Sequence, residues 1–115
     1  MTIEFYGIPN CDTVKKARKW LDQNGVAYTF HDYKKEGADP ARLANWVQQA
    51  GWEKVLNRAG TTFRKLPDAD KADLDEAKAV ALMAANPSCI KRPVVEYPGG
   101  LLIGFKEPEW AAAFN

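Results

Sequence analysis

The sequence predicts an α/β fold on a small mixed sheet. Three features predict it: a strand–helix–strand unit at the start, a helix-rich middle, and a β-hairpin with a last helix at the end. The stretch Thr2–Leu21 begins as a short apolar strand at Ile3, Phe5 and Tyr6 and turns through Gly7-Ile8-Pro9-Asn10 to Cys11. It then enters a helix whose positions Val14, Ala17 and Leu21 share one face. Asn24-Gly25 ends that helix at a residue of positive φ. Val26–Tyr33, rich in aromatic and β-branched residues, reads as the second strand. Strands joined through one helix run parallel with a right-handed crossover. The polar Lys34–Asp39 then reads as loop.

Asp39-Pro40 starts the next helix, an N-cap acceptor followed by proline at the first helical position. Leu43, Trp46, Val47 and Ala50 mark its apolar stripe and Gly51 its end. Trp52–Asn57 reads as a helical turn and Arg58–Lys65 as a loop. A further helix is expected over Leu74–Ala85, with Asp73 and Glu76 as a capping box and Ala77, Val80, Ala81 and Ala84 on one face. Asn86-Pro87 stops it. Pro93–Tyr97 and Leu101–Phe105 flank Pro98-Gly99-Gly100 as a hairpin. Glu107–Phe114 closes the chain as a helix with Trp110 and Phe114 on its buried face. This order matches a thioredoxin-like four-stranded mixed sheet. The expectation is a single domain over residues 1–115 with a helical lobe inserted at approximately 39–86.

A chain of 115 residues holds one core rather than two, and 46% hydrophobic with 27% charged residues is the balance of a soluble globular protein. The net charge of +1 gives no general attraction to nucleic acid or a membrane surface, so anion chemistry must be local. No apolar run approaches the ~20 residues of a membrane span. Glu4 interrupts any signal-peptide-like start, and the two cysteines form no disulfide framework. A reduced, cytoplasmic protein is expected.

Cys11 is the candidate nucleophile. A strand end followed by a helix start leaves backbone N–H groups unpaired, and the helix dipole there favours a thiolate. Burial as a small hydrophobe is the competing role for a free cysteine; the polar neighbours Asn10, Asp12 and Thr13 argue against it. Val14 stands where a C-x-x-C motif keeps its second cysteine, so a dithiol cycle within this motif is excluded. A C-x5-R phosphatase loop would need arginine where Ala17 stands, and Arg18 is expected as a solvated charge. Arg58, Arg64 and Arg92 are the cations that could meet Cys11. Arg92 precedes Pro93 at a strand entry, a candidate cis bond, and a guanidinium there would bind an anion by forked hydrogen bonds. Asn10 is a further candidate anion contact. Cys89, beside Ile90, is expected in packing, with resolution of a Cys11 disulfide as the alternative. His31, the single histidine, is expected as a structural or surface residue, and one histidine with two distant cysteines makes no zinc site. The four tryptophans are expected in or near the core rather than as a base-stacking platform.

GIPNCDTVKKARKWL, KRPVVEYPGG and GFKEPEW together resemble the ArsC/Spx family of arsenate reductase-like, thioredoxin-fold proteins, in particular its YffB-type branch. The resemblance runs over essentially the whole chain. It implies that Cys11 is the attacking cysteine and that Arg92 and Arg58 hold an oxyanion, with Arg64 as the alternative to Arg58. The third arginine of the arsenate enzymes falls near Lys106, which keeps the charge but lacks the planar fork. It further implies glutathione as co-substrate, with glutaredoxin as a possible partner, and no bound cofactor. Spx regulators contact RNA polymerase and sense oxidation through C-x-x-C, a switch that Val14 removes here. The expected function is a glutathione-dependent thiol reductase in which Cys11 attacks an oxyanion or a mixed disulfide. The alternatives are an Spx-like protein-binding module and a glutathione/glutaredoxin-dependent arsenate reductase.

Overall fold

A computed structural model describes residues 3–114; Thr2, at the head of the opening stretch, lies outside the described residues with Met1 and Asn115. The chain runs β1 (Glu4–Gly7), α1 (Asp12–Gln23), β2 (Thr29–Asp32), α2 (Tyr33–Glu36), α3 (Pro40–Ala50) and α4 (Trp52–Val55). It continues through α5 (Thr61–Arg64), α6 (Asp68–Lys71), α7 (Glu76–Ala85), a 3-10 turn (Pro87–Cys89), β3 (Val94–Tyr97), β4 (Gly100–Ile103) and α8 (Glu107–Phe114). Two compact units result: one ends its first segment at Glu36 and resumes at Arg92, and the other is Gly37–Lys91.

The first unit is a four-stranded mixed sheet in the order β2-β1-β3-β4. β1 and β2 are parallel, with Gly7 opposite Asp32; β1 and β3 are antiparallel, with Tyr6 opposite Val94; β3 and β4 form the hairpin. Its core gathers Phe5, Val14, Ala17, Trp20, Leu21, Val95, Leu102 and Trp110. Trp110 is fully buried. Its ring meets Phe105 at 4.9 Å, Trp20 at 6.0 Å and Phe5 at 6.2 Å, each edge to face. Its indole N–H donates to the Gly104 carbonyl at 3.1 Å. The apolar spacing of α1 is realised, with Trp20 added to the predicted face, and Gly25 has φ +68° as its C-terminal position requires.

Two expectations in this unit are corrected. The second strand is shorter than Val26–Tyr33, and part of the expected loop is helix. The Asp32 carboxylate accepts from the N–H groups of Lys34 at 3.0 Å and Lys35 at 3.3 Å, which turns the chain into α2 at Tyr33. Arg18 is not a solvated charge. Its Nε–H donates to the Tyr28 hydroxyl at 3.0 Å and its guanidinium lies 4.2 Å from the Phe30 ring centre.

In the second unit Asp39 caps α3, accepting from the Ala41 N–H at 3.0 Å, and Leu43, Trp46 and Val47 are buried. α7 packs on α3. Its cap is Asp75, which accepts from the Lys78 N–H at 2.8 Å, rather than Asp73, whose φ is +51°. Its buried face is Ala79, Leu82 and Met83, whereas Ala77 and Ala81 are exposed. An alanine-rich segment offers little contrast between faces, so the two large side chains decide which side turns inward. The expected loop Arg58–Lys65 contains α5, because Phe63 is buried and draws a helical turn around it. Cys89 is buried beside Ile90 as expected, and its carbonyl accepts from the Asn57 N–H at 2.7 Å.

His31 ties the sheet to α2. Its Nε2 lies 2.7 Å from Glu4 and its Nδ1 3.2 Å from Glu36, and its ring stacks on Tyr6 at 4.7 Å. Burial lowers the His31 pKa, but hydrogen bonds to Glu4 and Glu36 and the charges of both outweigh it, so the pKa stands above 6.5. A neutral imidazole has one N–H and can donate to only one of the two carboxylates; the imidazolium serves both. A folded-state pKa above the unfolded value makes this contribution full below the unfolded pKa and lost as pH rises through the folded one. The stability gap between the wild type and His31→Gln is therefore expected to be larger at about pH 5.5 than at about pH 9. Urea midpoints at the two pH values measure it, and an equal gap at both would contradict the bridge.

Candidate functional site

All four strands have an end on one side of the sheet, where β4 closes at Ile103 opposite Val94. β1 ends at Gly7, β2 ends beside it at Asp32, and β3, running the opposite way, begins at Val94 opposite Tyr6. The residues just outside these ends are the loop to Cys11, then Tyr33, then Arg92. The carboxyl edge of a parallel pair is where α/β sheets place ligand chemistry.

Gly7 lets α1 come close, since a Cβ there would lie 3.0 Å from a methyl of the buried Val14. The chain then turns, with the Cys11 N–H donating to the Ile8 carbonyl at 3.2 Å and the Cys11 carbonyl accepting from the Lys15 N–H at 3.0 Å. Cys11 is thus the N-cap of α1, at φ −87° and ψ 127°. Its side chain makes no capping hydrogen bond, so the sulfur is not engaged by its own helix. The residue is half-buried, packed on one side against the core, while Cys89 is buried; both are free thiols.

Arg92 is half-buried, and its bond to Pro93 is cis. Its guanidinium donates a hydrogen bond to the Tyr33 phenol, and the Cys11 sulfur lies within electrostatic reach of the same phenol. Tyr33 is 2% exposed. Burial pushes its pKa up, well past the ordinary 10; the Arg92 charge and hydrogen bond pull the other way, and Cys11 and Asp32 add to the rise. The phenol is therefore neutral wherever the thiol chemistry runs.

The two candidates Cys11 and Arg92 thus each act on Tyr33, with Asn10 exposed in the loop that leads to Cys11. Lys106 is exposed ahead of α8, its carbonyl accepting from the Trp110 N–H at 3.1 Å. Arg58 and Arg64 belong to the helical unit, and both are exposed. The Arg58 guanidinium lies 5.4 Å from the Trp52 ring centre and 4.0 Å from Glu53, an exposed pair of little energetic weight. Among the described residues no cluster of three or more histidine, cysteine or acidic side chains is placed to hold a metal. No helix among them is long and apolar enough to cross a membrane. Tyr33 is the residue that sequence reasoning missed. Its signal was a hydroxyl-bearing aromatic immediately after a parallel strand, masked by its reading as part of that strand.

A family model described as the ArsC family matches residues 6–113. The chain belongs to the ArsC family. The solved structure of a protein named YffB is 60% identical, covers 99% of this chain and 100% of its own, and superposes with a TM-score of 0.97. A solved arsenate reductase (ArsC) related protein from Brucella melitensis is 53% identical over 100% of this chain and 96% of its own, with a TM-score of 0.78. The global transcriptional regulator Spx of Streptococcus mutans is 28% identical over 103 residues, 88% of this chain and 74% of the relative. The mixed sheet is the thioredoxin-like sheet of these ArsC neighbours. An arsenate reductase-like fold, shared with Spx relatives, is what this member of the ArsC family presents.

Proposed function

We propose that this ArsC-family protein is a glutathione-dependent monothiol reductase acting through Cys11. The observation that supports the reading is a buried, neutral phenol that takes a hydrogen bond from Arg92 and feels the half-buried Cys11 sulfur, which makes no capping hydrogen bond. In the first step the Cys11 thiolate attacks the glutathione sulfur of a mixed disulfide. A Cys11–glutathione bond forms, the substrate thiolate leaves, and it takes a proton from water. In the second step a glutathione thiolate attacks that adduct, giving oxidised glutathione and restoring the Cys11 thiolate, so release of the substrate thiol is matched by oxidation of one incoming glutathione thiol to the disulfide. Arg92 binds a carboxylate of glutathione or another anionic group of the substrate by its planar fork. The resemblance gives Arg58 an anion-binding part as well, with Arg64 as the alternative, and a lesser one to Lys106; Asn10 is a further candidate contact from the loop beside Cys11. An oxyanion such as arsenate is the alternative substrate, less favoured because Lys106 lacks a guanidinium. Glutaredoxin is the candidate partner for adduct release.

Glutathione-linked reduction of a small-molecule glutathione mixed disulfide tests the reading. Arg92→Ala is expected to lower kcat/KM by roughly tenfold to a hundredfold, the worth of a charge-assisted hydrogen bond to the substrate. Turnover by the wild type no faster than in buffer would end the proposal.

The Spx relatives favour a second reading, a protein-binding module for RNA polymerase. It predicts co-purification with polymerase that Trp52→Ala and Arg58→Ala weaken; no recovery by the intact chain counts against it.

A further inference from the structure

We propose that Tyr33 is a positioning residue for the thiol chemistry: its phenol oxygen accepts a hydrogen bond from Arg92 and so holds the guanidinium at Cys11. The inference rests on the thiol-reductase reading in taking Cys11 as the reacting group.

The phenol is a fixed point. α2 is one turn long, and both its ends are tied down. At its start the Asp32 carboxylate takes the N–H groups of Lys34 and Lys35. At its end Glu36 is bridged through His31 to Glu4 on β1. Tyr33 sits between these ties and is 2% exposed, so its oxygen cannot move far. Arginine by contrast has a long side chain with many rotamers and needs a partner to be held.

The chemistry of the partner matters as much as its rigidity. An aspartate or glutamate in place of Tyr33 would hold Arg92 equally well, but would cancel its charge. A phenol that burial keeps neutral accepts the hydrogen bond and sets no negative charge of its own against that of the guanidinium. That charge is then available to the sulfur and to an anionic group arriving with the substrate. A buried polar oxygen requires a hydrogen-bond partner, and here the requirement is met by the cation the site uses.

The test reads charge selectivity at the sulfur, without glutathione and without turnover. Cys11 is alkylated in parallel with iodoacetate, which is anionic, and iodoacetamide, which is neutral, and the Cys11 peptide is followed by mass spectrometry. Tyr33→Phe, which removes only the hydroxyl, is expected to lower the iodoacetate-to-iodoacetamide rate ratio about threefold to tenfold, as loss of a nearby unit charge would. Arg92→Gln is expected to lower it to a similar level, and the double variant no further. An unchanged ratio in Tyr33→Phe, or a Tyr33→Phe effect that persists in full on the Arg92→Gln background, would overturn the proposal. Should Tyr33→Phe fail to fold, the wild type itself decides. Slow water exchange of a guanidinium N–H of Arg92 by NMR supports the hydrogen bond, and exchange of all of them as fast as in the exposed Arg58 overturns it. A wild type that keeps the ratio and its loss on Tyr33→Phe, yet turns over no glutathione disulfide, would remove the reductase reading and uphold the positioning role.

Discussion

Cys11→Ser is expected to reduce glutathione-linked turnover to the uncatalysed rate while leaving the fold intact. A serine hydroxyl is nearly isosteric with the thiol and caps a helix start well, so α1 should lose nothing. The chemistry, however, requires a sulfur–sulfur bond in the intermediate, which oxygen cannot supply. Cys89 cannot stand in by attacking substrate itself, because it is 1% exposed and packed within the helical unit. An alanine at Cys89 is expected to leave turnover within about twofold, since a buried thiol is inert. Turnover in Cys11→Ser close to that of the wild type would place the chemistry elsewhere.

The second large effect is on stability. Trp110→Ala is expected to cost about 3–5 kcal/mol, the range for removing a large buried aromatic. Trp110 lies fully buried at the junction of Phe5 on β1, Trp20 on α1, Phe105 after β4 and Phe114 on its own helix. Those rings converge from four segments and cannot all close over the void. The Gly104 carbonyl also loses the indole N–H it accepts from. For a domain of this size the melting temperature should fall by roughly 10–20 °C. Thermal unfolding followed by circular dichroism reads it, and a fall of less than about 5 °C would mean that α8 is not the keystone of this core.

The sheet was legible because its signals were local. Gly25, the aromatic run to Phe30, and the turn at Pro98–Gly100 each set a boundary within a few residues of where it lies. The helical unit was less legible. α7 carries alanines on every side, so periodicity chose the wrong face, and the cap fell on Asp75, two residues beyond the expected Asp73. α2 escaped notice because one Asx turn at Asp32 overrode the strand propensity of its neighbours. That same turn hid Tyr33. Cys11 at a strand end and Arg92 before a proline could be picked out as candidates in advance, whereas the phenol on which both act depends on where β2 stops, a matter of one hydrogen-bonded side chain.

Peptide mapping of the protein after brief exposure to oxidised glutathione tests the central claim most directly. The account predicts one glutathione adduct, on the peptide containing Cys11, that added reduced glutathione releases. No adduct on Cys11, an adduct confined to Cys89, or an adduct that glutathione fails to remove would contradict it.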